Sequence, residues 1–202
     1  MKKAMPIAMV VAALAAIAAP VARATFVNSN WSMHGFALKE SGTVQGTGQF
    51  KFNSTSGLGG IECHVVVHAA FTASSNAGSI TKFTATNCMN FGFLLTVCGT
   101  NANATPTVPW KLDGQKTEGT RRILLTAPAV HFEEPEADVT CMSIGKMNIS
   151  GSNATNPVFL TPDSTTTMTK LTFGGEVDTA IGASKAEGTI TLTSGSGTYG
   201  IL

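Results

Sequence analysis

From Trp31 onward the apolar residues of this chain recur at every second position, and short clusters of Gly, Asn and Asp interrupt them. A repeat of two sends alternate side chains to opposite faces of a strand, whereas a helix face needs spacings of three and four. Across residues 61–71, Cys63, Val65 and Val67 share one face, with His64, Val66 and His68 on the other. Across 79–86, Ile80, Lys82 and Thr84 oppose Thr81, Phe83 and Ala85. Residues 31–37 read as a first strand, and Phe50 and Phe52 flank Lys51 in a second. Further strand-like runs cover 108–112, 121–126, 130–132, 139–150, 166–173, 188–193 and 198–202, separated by turn clusters at 57–60, 76–78, 113–114, 151–157 and 174–175. Only residues 179–187 offer a short helix, and Gly182 weakens it. The expected fold is all-β: a single-domain antiparallel β-sandwich or jelly-roll-like barrel. Its expected core holds Val65, Val67, Phe83, Leu95, Trp110, Leu124, Met142, Ile149, Leu171 and Ile190.

The start of the chain has a different grammar. Met1, Lys2 and Lys3 precede an apolar stretch over 7–19, Pro20 breaks it, and Ala22-Arg23-Ala24 gives the small-x-small pattern of a cleavage site. The stretch has the length of a signal-peptide core and is short for a membrane span. The reading is therefore a signal peptide over 1–24, cut after Ala24, and a secreted all-β domain over 25–202. Such a protein is released, periplasmic or held at the cell surface. No later run is long and apolar enough for a transmembrane helix. The chain holds 13 basic and 12 acidic residues, and Lys2, Lys3 and Arg23 leave with the leader, so the mature domain is slightly acidic. That balance argues against nucleic acid and against charge-driven binding to anionic lipid. Charges are few, and Thr, Ser, Gly and Asn keep the surface wet.

Four cysteines follow the leader: Cys63, Cys88, Cys98 and Cys141. An even count in an exported chain points to two disulfides. Three pairings are possible. The short loop with Asn90, Gly92 and Gly99 favours Cys88–Cys98, which leaves Cys63–Cys141 as the long-range staple. A zinc site wants close CxxC pairs, and the spacing supplies none.

The remaining candidates for chemistry are few. His64 and His68 share a strand face about 13 Å apart, too far to hold one ion unaided. His131 stands beside Glu133, Glu134, Glu136 and Asp138, an acidic cluster that suits a hard cation such as Ca²⁺. It lacks an Asp-x-Asp-x-Asp-Gly loop, and Pro135 marks it as a solvated turn. There is no Gly-x-Ser-x-Gly element for a nucleophile, and Glu40, Glu62, Asp113 and Glu176 are too scattered for paired-carboxylate chemistry. The expectation is no catalytic residue, no cofactor and no resident metal.

Trp31-Ser32-Met33-His34-Gly35-Phe36, the Gly-rich turn into Ile61-Glu62-Cys63, then Phe83 to Cys88, Cys98, Pro109-Trp110 and a late Cys141 form a shared outline. In these motifs the chain resembles small secreted four-cysteine bacterial β-proteins of the alkane-oxidation activator (PraA/PraB) type. It departs from them in its His64/His68 face and its acidic stretch. The resemblance implies a non-catalytic secreted or cell-surface protein that acts at hydrophobic interfaces or in an extracellular biofilm matrix. Its partners would be hydrophobic surfaces or further copies of itself. Phe91, Phe93, Phe132 and Phe159, read as loop aromatics, are the residues to make such contacts. Two alternatives differ in kind: a fimbria-like subunit assembled by strand donation, and a module binding a small hydrophobic ligand or sugar.

Overall fold

The computed structural model describes residues 25–94, 100–126, 128–133, 158–164, 166–179 and 182–202. The proposed leader, Cys98, Cys141, the acidic run after Glu133 and the core candidates Leu95, Met142 and Ile149 lie outside these residues. Among the described residues the chain forms β1 (Val27–Asn28), β2 (Trp31–Met33), β3 (Phe36–Ala37), β4 (Gly42–Ser54), β5 (Gly60–Phe71), β6 (Ala77–Phe91), β7 (Asn101–Pro106) and β8 (Trp110–Thr117). There follow β9 (Thr120–Thr126), β10 (Val130–Glu133), β11 (Phe159–Pro162), β12 (Lys170–Gly174), β13 (Glu176–Thr179), β14 (Gly182–Ser194) and β15 (Tyr199–Ile201).

Eight of these strands close a ring. The order is β4–β5–β6–β8–β9–β11–β12–β14, with β14 returning to β4, and every pairing is antiparallel. The seam between β6 and β8 is short, running from Ala77↔Asp113 to Ile80↔Trp110. Each strand in the ring pairs with the next ring strand along the chain, while β7, β10 and β13 branch off its flank. The expected all-β antiparallel fold is present, as a closed up-and-down barrel rather than a sandwich or a jelly-roll-like barrel. Short connections after β4, β5 and β8 hold consecutive strands side by side, whereas a jelly roll needs long crossings between two sheets. Closure also pairs strand edges that an open sheet would expose.

Alternation decides inside from outside. On β4, Val44, Phe50 and Phe52 are buried while Thr43, Gln45 and Gln49 are exposed. On β14, Ala186, Ile190 and Leu192 are buried while Lys185, Glu187, Thr191 and Thr193 face out. An apolar lumen behind a polar wall is the reverse of a membrane-spanning barrel, whose outer band is apolar. Among the described residues, no helix is long and apolar enough to cross a membrane. Gly48 marks the closest approach of β4 to β14: a Cβ there would sit 1.8 Å from the Thr189 carbonyl oxygen.

The interior is dominated by rings. Phe50 meets Phe52, Phe83 and Phe173 at centroid distances of 4.8, 6.0 and 4.7 Å, and Phe83 meets Trp110 at 4.6 Å. Of the expected core residues, Val65, Val67, Phe83, Trp110, Leu171 and Ile190 are buried. Leu124 is only half-buried, because Ile123 and Leu125 take the inward positions of β9. The weak helix option over 179–187 is not taken up: Gly182 onward forms β14, which pairs with β13 and sets Val177 opposite Ser184.

A second sheet, β15–β2–β3, caps one end of the barrel. The sequence run 31–37 is not one strand. It folds back at His34 and Gly35, whose φ angles of 50° and 83° make a two-residue hairpin turn of the primed type. Trp31 on β2 is fully buried and stacks on Phe71 at 4.3 Å, and its Nε1 donates to the Ala77 carbonyl at 2.8 Å. The cap is tied down by backbone bonds from Trp31 N to Ser75 O, Ser74 N to Leu38 O and Met168 N to Tyr199 O.

Candidate functional site

A disulfide between Cys63 and Cys88 staples the wall. Cys63 points inward from β5, and the register between β5 and β6 shifts between Glu62 and His64. There β6 carries an extra residue, and Asn87 adopts a φ of 51°. Such a bulge re-aims the side chains that follow it. Cys88 turns into the core and bonds Cys63 with an S–S distance of 2.01 Å. The favoured pairing of Cys63 with Cys141 and Cys88 with Cys98 is therefore corrected. Neighbouring strands bring Cys63 and Cys88 together, 25 residues apart, where sequence spacing alone suggested the local loop.

The histidine pair takes the outer face of β5. His64 lies between Gln49 and Thr86, and His68 between Gln45 and Lys82. These neighbours include a cation and no carboxylate. His131 sits on β10 opposite Thr105. Among the described residues, no group of three or more His, Cys, Asp or Glu side chains is placed to hold a metal ion. The scattered carboxylates stay apart: Glu62 lies opposite Lys51 on the outer wall, and Asp113 accepts from Asn76 Nδ2 at 3.1 Å near the cap.

Two polar clusters serve structure. Arg122 lies over the Phe26 ring at 3.7 Å, with Phe159 at 5.7 Å, and its Nε donates to Gln115 Oε1 at 2.9 Å. Burial lowers the pKa of its guanidinium. The stack clips the segment before β1 to the wall, where Val27 pairs with Lys116. At Asp163, burial raises the carboxyl, but bonds from the Thr169 hydroxyl and the Thr169 and Lys170 amides outweigh it and hold it below its ordinary pKa. Asp163 thereby closes the turn between β11 and β12.

The exposed large apolar residues remain, and they gather at the two barrel ends. Met33 and Phe36 oppose each other across the cap hairpin, so both side chains leave the same face beside the turn. Phe36 is 77% exposed and Met33 43%. Val27 is exposed at this end as well, on β1 near the β8–β9 turn. Leu58, Met89 and Phe93 are exposed at the opposite end, around the β4–β5 turn and the end of β6, where Leu94 N donates to Leu58 O. Beside them Phe91 is half-buried under Lys51 Nζ at 4.5 Å. Phe132 is not a surface aromatic: it is buried edge-on to Phe52 at 5.3 Å, because it faces inward from β10. Phe159 is half-buried on β11 beside Arg122. Reading 31–37 as one strand concealed the Met33–Phe36 pair; Gly35, which takes a positive φ at no steric cost, was the one local signal for a tight turn. Set against known proteins, the chain matches no family model, no curated protein and no solved structure.

Proposed function

We propose that this is a non-catalytic exported protein that works by contact at hydrophobic interfaces or within an extracellular matrix. The observation that carries the reading is the Met33–Phe36 pair, held outward on a cap whose other side is locked into the barrel mouth by Trp31. A hairpin fixed in this way pays little ordering entropy when it meets an apolar phase. Covering one large apolar side chain contributes on the order of 1.5–3 kcal/mol. Three at one end, partly exposed, give about 3–5 kcal/mol, well short of the roughly 8 kcal/mol of a micromolar complex. The reading therefore favours adsorption by many copies on a surface over one tight partner. The closed ring offers strand donation no missing-strand groove, so that alternative draws no support from the described residues.

Export is supported by the Cys63–Cys88 bridge, since such bonds persist in oxidising compartments. The functional test adds the oxidised protein to a hydrocarbon–water emulsion beside the double variant Met33→Ser, Phe36→Ser. Wild type should lower interfacial tension and slow droplet coalescence, and the variant should do so much less at equal concentration. A wild type without effect on either quantity removes the reading.

A further inference from the structure

On the outer wall, at the barrel end away from the cap, Lys51, Glu62, Met89, Asn90, Phe91 and Thr100 line a hollow of about 480 Å³. Small-molecule sites run from roughly 300 to 1,000 Å³, so this one has the size of a ligand site. The strand register builds it. Lys51 on β4 lies opposite Glu62 on β5, and Glu62 opposite Met89 on β6. Towards the β4–β5 turn, Gly60 is the partner of both Asn53 and Phe91. A Cβ on Gly60 would stand 2.8 Å from Phe91 Cζ, so the ring lies where a side chain would otherwise be. Lys51 Nζ turns over that ring at 4.5 Å instead of reaching across to Glu62. Among the described residues the Glu62 carboxylate therefore has neither an ion pair nor a hydrogen bond.

The chemistry of the lining selects its guest. An ammonium and a carboxylate flank an apolar wall made by Met89, which is 55% exposed, and the half-buried Phe91 ring. The two charges offset each other, so the hollow as a whole favours neither an anion nor a cation. An alkyl chain laid across it would strip water from both charges and return no hydrogen bond. A sugar ring suits both halves. Its C–H groups pack on Met89 and Phe91, while its hydroxyls donate to the Glu62 carboxylate and accept from Lys51 Nζ. Such bonds to ionised groups are about twice as strong as neutral ones. We propose that this hollow is a binding site for a neutral pyranose unit of a polysaccharide. It lies at the opposite barrel end from Met33 and Phe36 and does not depend on the interfacial reading.

Maltotriose, cellotriose and triacetylchitotriose are the probes, titrated at millimolar concentration into the full mature protein and followed by nuclear magnetic resonance. At least one should shift the Met89 methyl and the Glu62 and Thr100 amides in a saturable way, while the Met33 methyl at the far end stays in place. Glu62→Gln keeps the shape of the wall and removes the charged acceptor, so it should weaken binding about tenfold. Met89→Ala removes the apolar wall and should weaken it severalfold, read from the amides. Both side chains stand on the outer wall, and native near-UV circular dichroism verifies the fold of each variant. The double variant Met33→Ser, Phe36→Ser should bind the sugar as wild type does, which separates this site from the interfacial one. Four results would overturn the assignment: no saturable shift with any of the three sugars, undiminished binding in natively folded Glu62→Gln, tighter binding of a uronic-acid trimer, or tighter binding of octanol.

Discussion

Replacing Trp31 tests how the cap is held. The indole is fully buried, stacked on Phe71 at 4.3 Å and bonded through Nε1 to the Ala77 carbonyl. A buried aromatic removes about 150–250 Å² from water. At about 25 cal/mol per Å² that gives roughly 4–6 kcal/mol for the whole side chain. Partial collapse of the site returns some of this, so Trp31→Ala should cost about 3–5 kcal/mol. Trp31→Phe keeps the ring stack and loses the indole hydrogen bond, while the Ala77 carbonyl keeps its bond from Thr72 N at 3.0 Å, for a cost of about 1 kcal/mol. Urea unfolding followed by far-UV circular dichroism measures both at fixed slope, which excludes a change in the surface exposed on unfolding. Trp110, the only other tryptophan, reports fluorescence from the barrel interior in each variant. A Trp31→Ala cost below about 1 kcal/mol would show that Trp31 does not pack in the barrel mouth, and the fixed hairpin tip would lose its basis.

Three further outcomes follow from particular contacts. The double variant Cys63→Ala, Cys88→Ala frees a loop with a sequence separation of 25 and should lose about 3.5 kcal/mol by chain entropy alone, read as a shift in urea midpoint. Ser32 is fully buried on the cap, and its hydroxyl has no hydrogen-bond partner, so Ser32→Ala should be neutral or stabilising by up to about 1 kcal/mol; a marked loss would reveal a bonded hydroxyl. The Asp163 carboxyl is held low in the folded state, so its bonds stabilise above the ordinary carboxylate range near about pH 4 and fade as pH falls through the lower folded value. The melting temperature of Asp163→Asn should accordingly trail wild type at neutral pH and converge with it in acid. An equal gap at every pH would contradict the assignment.

Alternation in sequence made the strands and much of their inward face legible, since Val65, Val67, Trp110, Leu171 and Ile190 point where a repeat of two places them. It failed where the repeat is interrupted. On β6 the inward residues are Ile80, Phe83, Cys88 and Asn90, because two register shifts against β5 each insert a residue that no apolar pattern marks. The same shift near Asn87 brings Cys88 to Cys63, so the disulfide was hidden along with the bulge. On β9 three consecutive apolar residues left the face open, and the register with β8 and β11 settles it in favour of Ile123 and Leu125. Closure was out of reach because it rests on the seam between β6 and β8, a pairing that neither strand's sequence announces. The candidate surface was legible only in part: Phe93 is exposed as expected, Phe132 is core, and the Met33–Phe36 tip depended on recognising a two-residue turn.

The pairing between β6 and β8 closes the ring, and among the described residues the inward packing of the barrel depends on it. Cross-strand nuclear Overhauser effects on the folded mature protein report it most directly. Closure predicts contacts pairing Gly78 with Leu112 and Ile80 with Trp110, with slowed amide exchange along both strands. Two solvent-exchanging edges with no such contacts would mean an open sheet and contradict the barrel.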